Sequence, residues 1–124
     1  MEIRLTTSCN PTESREKIVS AIKSIFPDAT IEGEDPITAV SHSVDNFAAL
    51  LKQFRIRDAA RAVIWRGIEG NSTRFRLNKQ VAAVGKISFS QENHPLGDIE
   101  VVISADDIHG MIDSIAPRTG RPGQ

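Results

Sequence analysis

The apolar residues of this chain switch repeatedly between a spacing of two and a spacing of three to four, and each switch limits what the backbone can be. In "EIRLTTS", residues 2–8, Ile3 and Leu5 fall on one side and Glu2, Arg4 and Thr6 on the other. That alternation marks a half-buried strand. Ile18, Ala21, Ile22 and Ile25 then recur at helical spacing, as the buried stripe of a helix. Asn10 or Thr12 is the expected cap of this helix, Pro11 suits its first turn, and Glu13 and Glu16 suit the positive end of its dipole. Pro27 ends it.

The switching continues along the chain. "ATIEG" and "ITAVSH" read as two short strands joined by the turn residues "GEDP". Ser43 or Asp45 opens a second helix with Val44, Phe47, Leu50, Leu51 and Phe54 as its stripe. A third helical run is marked by Ile56, Ala60, Val63, Ile64 and Ile68, with Gly67 and Gly70 as stops. The pattern leaves open whether residues 44–68 form one bent helix or two. "TRFRLN", residues 73–78, alternates again, with Phe75 and Leu77 inward and Arg74, Arg76 and Asn78 outward. A strand is expected around 84–89, a loop at "QENHPLGD", and a β-branched strand at 99–104. Asp106 should cap a short helix running to Ile115, with Pro117 beyond it.

Strands clustered between helices and joined by hairpin-length turns imply an α+β domain: a mainly antiparallel sheet with helices packed on one face. Residues 1–116 are expected to form one such domain, and 117–124 a flexible tail. A chain of 124 residues, 40% hydrophobic and 25% charged, can bury one core without disulfides or metals. Cys9 is the single cysteine, which fits a reducing compartment. The first residues lack a basic stretch followed by an apolar run, and no apolar run approaches the roughly 20 residues a membrane span needs. A cytoplasmic protein with no membrane partner is expected.

The formal net charge of −1 conceals a strong asymmetry. Residues 52–86 carry nine bases and two acids, a net of +7, and the rest of the chain carries −8. Such segregation suggests an anionic partner, or two halves that neutralise each other across the fold. Arg57, Arg61 and Trp65 are four residues apart in turn and share a helical face that could hold a phosphate backbone and an unstacked base. Tryptophan's burial habit nevertheless puts Trp65 in the core. Arg74 and Arg76 leave the next strand together, roughly 7 Å apart, with Lys79 beside them. Asn78 is expected to cap a turn. "GIEG", residues 67–70, has the spacing of a backbone-clamping loop, but Glu69 would repel phosphate, so a helix cap at Gly67 and a turn at Gly70-Asn71 are expected.

Catalytic signals are poor. His42, His94, His109 and Cys9 have no metal-ligand spacing, and there is no nucleophile elbow or phosphate-binding glycine loop. Cys9 reads as a small buried thiol. The expectation is a protein that is not an enzyme, with no cofactor and no small-molecule substrate.

"NPTES", "IFPDA", "RIRDAAR", "GNSTRFRLNKQVAAVGK", "HPLGDIEV" and "IAPRTG" together resemble an archaeal family of the provisional-function (UPF) series, over nearly the whole chain. Relatives of that family are similar in fold to the large-subunit ribosomal protein that binds five-S RNA. The resemblance implies a sheet-and-helix α+β layer and raises the expectation of RNA. Two functional readings follow. In the first, Arg57, Arg61, Arg66, Arg74, Arg76, Lys79 and Lys86 form one basic surface that contacts RNA phosphates. In the second, the basic segment meets the acidic remainder of a second copy, or an acidic protein, in an assembly anchored near Phe54 and Trp65.

Overall fold

The computed structural model describes residues 1–90 and 97–118. The loop expected at 91–98 therefore lies largely outside the described residues, as do His94 and all but the first two positions of the expected tail. The strands are β1 (Glu2–Thr7), β2 (Thr30–Glu32), β3 (Ile37–Ser41), β4 (Ile68–Glu69), β5 (Ser72–Asn78) and β6 (Asp98–Ser104). They form one sheet in the order β2-β3-β1-β6-β5-β4, with every pairing antiparallel. The helices are α1 (Arg15–Ile25), α2 (Asp45–Gln53), α3 (Arg57–Arg66), α4 (Lys79–Ala83) and α5 (Ile108–Ile115). The protein is an α+β domain.

Side-chain alternation decides which face of the sheet the helices cover. Ile3 and Leu5 of β1, Ile37 and Ala39 of β3, Phe75 and Leu77 of β5, and Ile99, Val101 and Ile103 of β6 are all buried on one face. The register places Leu5 opposite Ala39 and Val101, and Phe75 opposite Val101, so the apolar rows continue from strand to strand. Ile18, Ala21, Ile22 and Ile25 of α1 close over this face, as their spacing requires. Phe26 and Phe47 are fully buried, and a chain of ring contacts runs Phe26–Phe47–Phe75–Phe89 at 5.5, 5.9 and 5.8 Å between centroids. Each such pair adds about 0.5–1.5 kcal/mol beyond the area it buries.

Residues 44–68 form two helices rather than one bent helix. The Ile56 N–H bonds to the Leu51 carbonyl (3.0 Å) and the Arg55 N–H to the Lys52 carbonyl (3.2 Å), closing a Schellman motif at the end of α2. The left-handed position of that motif normally takes glycine. Here it holds Arg55 at φ 56.

Four local expectations are corrected. Ser14, not Asn10 or Thr12, caps α1 by accepting from the Lys17 N–H, and Asp107, not Asp106, caps α5 by accepting from the Gly110 N–H. No regular strand occupies 84–89. The Asn78 side chain accepts from the Val81 N–H at 3.0 Å and starts α4, and Phe89 makes only an isolated bridge to Leu77. Ile68 belongs to the short strand β4 and not to a helical stripe, because Gly67 ends α3 first.

Candidate nucleic-acid interface

Seven cations were singled out by sequence, and the fold divides them. Lys79 lies inside, 4% exposed. Its Nζ donates to Glu13 Oε1 at 3.0 Å and to the Ser8 carbonyl at 2.9 Å. It does not stand beside Arg74 and Arg76 on the outer face, because α4 starts at Lys79 and turns its side chain under α1. Burial pushes the Glu13 carboxyl up. The Asn10 N–H and the Lys79 ammonium outweigh that and hold it below the usual carboxylate range.

Arg61 is also engaged. One of its guanidinium nitrogens, Nη1, reaches Asp113 Oδ1 at 2.6 Å and the Ala116 carbonyl at 3.1 Å, which ties α3 to the end of α5. Asp113 is 60% exposed, so the pair is screened and worth at most about 1 kcal/mol. Arg57 begins α3, about 14 Å along the helix axis from Arg66 at its other end. Lys86 is exposed on the loop after α4.

Arg66, Arg74 and Arg76 are brought together. They line a groove of about 450 Å³ at the β5 edge, with Val63, Gly67, Glu69, Phe75 and Ser90. The groove exists because β4 is only two residues long. Beyond it, among the described residues, the outer edge of β5 has no further backbone partner until Ser90 donates to the Arg76 carbonyl at 3.0 Å. In a strand a residue's N–H and C=O point to the same side, so the Arg76 N–H faces the groove as well. Gly67 sets how near α3 comes: its carbonyl accepts the Arg74 N–H at 3.1 Å, and a Cβ there would collide with the Arg74 carbonyl.

The three arginines are poised differently. Arg66 Nε donates to the Ala62 carbonyl at 3.1 Å, which steadies the side chain at the negative end of α3. Arg74 has Glu100 at 3.9 Å, a long and largely exposed pair that leaves most of its donors to solvent. Among the described residues no carboxylate lies within ion-pair distance of Arg66 or Arg76. Guanidinium groups in this state can take phosphate oxygens two at a time.

Trp65 is a second correction. It is 41% exposed, not core. Ala60 and Ile64 form the buried side of α3, and Trp65 is out of phase with both. The Arg61 guanidinium carbon lies 4.9 Å from its ring centroid, and the His109 ring meets it edge-on at 4.9 Å. Asn78 is a helix cap, and Gly67 and Gly70 serve as cap and turn, as their local sequence suggests. Among the described residues no group of three or more His, Cys, Asp or Glu side chains could hold a metal ion, and no helix is long and apolar enough to cross a membrane.

A family model described as RNA binding matches residues 2–105. The chain is 41% identical to a UPF0200/UPF0201 protein of Archaeoglobus fulgidus, over 98% of its own length but only 40% of that longer protein. It is 36% identical to a UPF0201 protein of Methanothermobacter thermautotrophicus, covering 98% of this chain and 95% of that one. A crystal structure of a UPF0201 protein is similar at a TM-score of 0.90 and 41% identity, covering 98% of this chain and 99% of the other.

Proposed function

The chain belongs to the UPF0201 family of archaeal proteins, and from that premise we propose that it binds RNA through the arginine groove at the β5 edge. The observation that carries the reading is the convergence of Arg66, Arg74 and Arg76 from two elements onto one groove, with no carboxylate among the described residues paired to Arg66 or Arg76. The matching family model supports the same partner. Arg57 and Lys86 lie outside the groove lining, while Arg61 and Lys79 serve the fold.

The groove suits a phosphate backbone better than a base edge. Its polar groups are guanidinium donors and the Arg76 N–H, with Glu69 at one wall. Three guanidinium groups against one carboxylate make the lining predominantly cationic, which recognises phosphate oxygens and carries little sequence information. Chemistry is not required of the site: its role is to hold an anion. The test is a titration of the full chain with single-stranded and duplex RNA at several salt concentrations. Binding at low salt, with log affinity falling linearly in log salt, is expected. Absence of binding at low salt overturns the reading.

A further inference from the structure

We infer that Trp65 is a stacking platform for an unpaired base of single-stranded RNA, reached from the arginine groove across Arg66. The inference rests on the RNA reading above and deepens it by naming the form of RNA.

Trp65 is the only tryptophan of the chain, and it stands out of the core on α3. It faces a second concavity, of about 560 Å³, lined by Asp58, Arg61, Ala62, Trp65, Arg66 and Arg118. Arg66 lines both this concavity and the arginine groove. A backbone held by Arg74, Arg76 and Arg66 therefore arrives at Trp65 without crossing a gap.

The indole is held before any ligand arrives. Arg61 lies over the ring and is itself fixed by Asp113 and the Ala116 carbonyl, and His109 supports the ring by its edge. An aromatic ring restrained in this way has little rotamer freedom left to lose when a base stacks on it. Arg61, lying over the ring, presents its own planar guanidinium as a further surface for a base. Bases in a duplex are already stacked on each other and cannot reach the indole, so the preference is for single strands or loops.

Because Trp65 is the sole tryptophan, its intrinsic fluorescence reports the contact directly. The full chain is titrated with a short single-stranded oligoadenylate, with an RNA duplex, and with heparin, a polyanion that carries no bases. Quenching by the oligoadenylate alone is expected, while the duplex and heparin bind without it. Binding of a labelled oligoadenylate is followed by anisotropy in parallel. Trp65→Ala should weaken it by about 5- to 150-fold, the range for one stacked base, and Trp65→Phe should retain most of the affinity. RNA binding with unchanged fluorescence, or with unchanged affinity in Trp65→Ala, overturns the stacking inference and leaves the groove reading standing. Fluorescence that shifts with protein concentration alone assigns Trp65 to a contact between copies, and also overturns it. No RNA binding at low salt overturns both.

Discussion

Arg76 and Lys79 are three residues apart and carry the same charge, yet their roles diverge. Arg76 lines an open groove at the end of β5, whereas Lys79 is 4% exposed and grips Glu13 and the Ser8 carbonyl. The boundary between them is Asn78, whose side chain ends the strand and caps α4. A run of positive charge is therefore two things at once: part of it holds α4 and α5 in place, and part of it is left for a ligand. The partners that make the difference are remote, Glu13 lying 66 residues from Lys79 and Asp113 lying 52 residues from Arg61.

The largest effect expected is on the structural side. Lys79→Ala removes the ammonium that Glu13 and the Ser8 carbonyl share in a largely dry site, the Asn10 N–H still donating to Glu13, and should cost about 3 kcal/mol, the lower end for broken buried pairs because Glu13 keeps some solvent contact. Urea denaturation measures it. A loss below about 0.5 kcal/mol, the range of surface substitutions, would place Lys79 with Arg76 after all. Acid probes the same pair. The Glu13 carboxyl sits below its ordinary value of 4.5 in the folded state, so the unfolded state binds more protons in that range. Its contribution is present above about pH 4.5 and fades as pH falls through the folded value. Denaturation midpoints across that window should fall for the native chain and fall less for Glu13→Gln.

Gly67→Ala tests the wall that the two sides share. The added methyl meets the Arg74 carbonyl, and the shift needed to accommodate it should cost about 1–3 kcal/mol. It should also move α3 off the β5 edge and weaken RNA binding, measured by anisotropy beside the unfolding curve. Unchanged stability and binding would mean that the close approach is not what shapes the groove. The smallest effect expected is at Arg55. Arg55→Gly relieves a left-handed residue in the Schellman turn and should raise stability by about 0.5–1 kcal/mol with RNA affinity unaltered. A fall in affinity there would extend the ligand surface to the α2–α3 junction.

Much of the fold was legible because period and burial coincide. The alternation of Ile3 and Leu5, and of Phe75 and Leu77, named the buried faces of β1 and β5, and the spacing of Ile18, Ala21, Ile22 and Ile25 named that of α1. The break at Arg55 was not legible, since a left-handed turn with arginine carries no glycine signal. The short helix α4 was missed although Asn78 followed by "KQVAA" is a cap and a run of helix formers; the pattern was read only for a strand around 84–89. Of the site, Arg66, Arg74 and Arg76 could be named from charge and phase, but not their meeting, which depends on how short β4 is. Trp65 was assigned to the core from residue type, while its phase against Ala60 and Ile64 already pointed outward.

The division of the basic segment is tested most directly by the salt dependence of RNA affinity in the native chain and in a variant with Arg66→Ala, Arg74→Ala and Arg76→Ala. If these three arginines contact single-stranded phosphates, the slope of log affinity against log salt should become shallower by about 2, at roughly 0.7 per lost contact. Stability should stay within about 0.5 kcal/mol for each arginine removed, none of the three being buried. An unchanged slope with the fold intact would contradict the account.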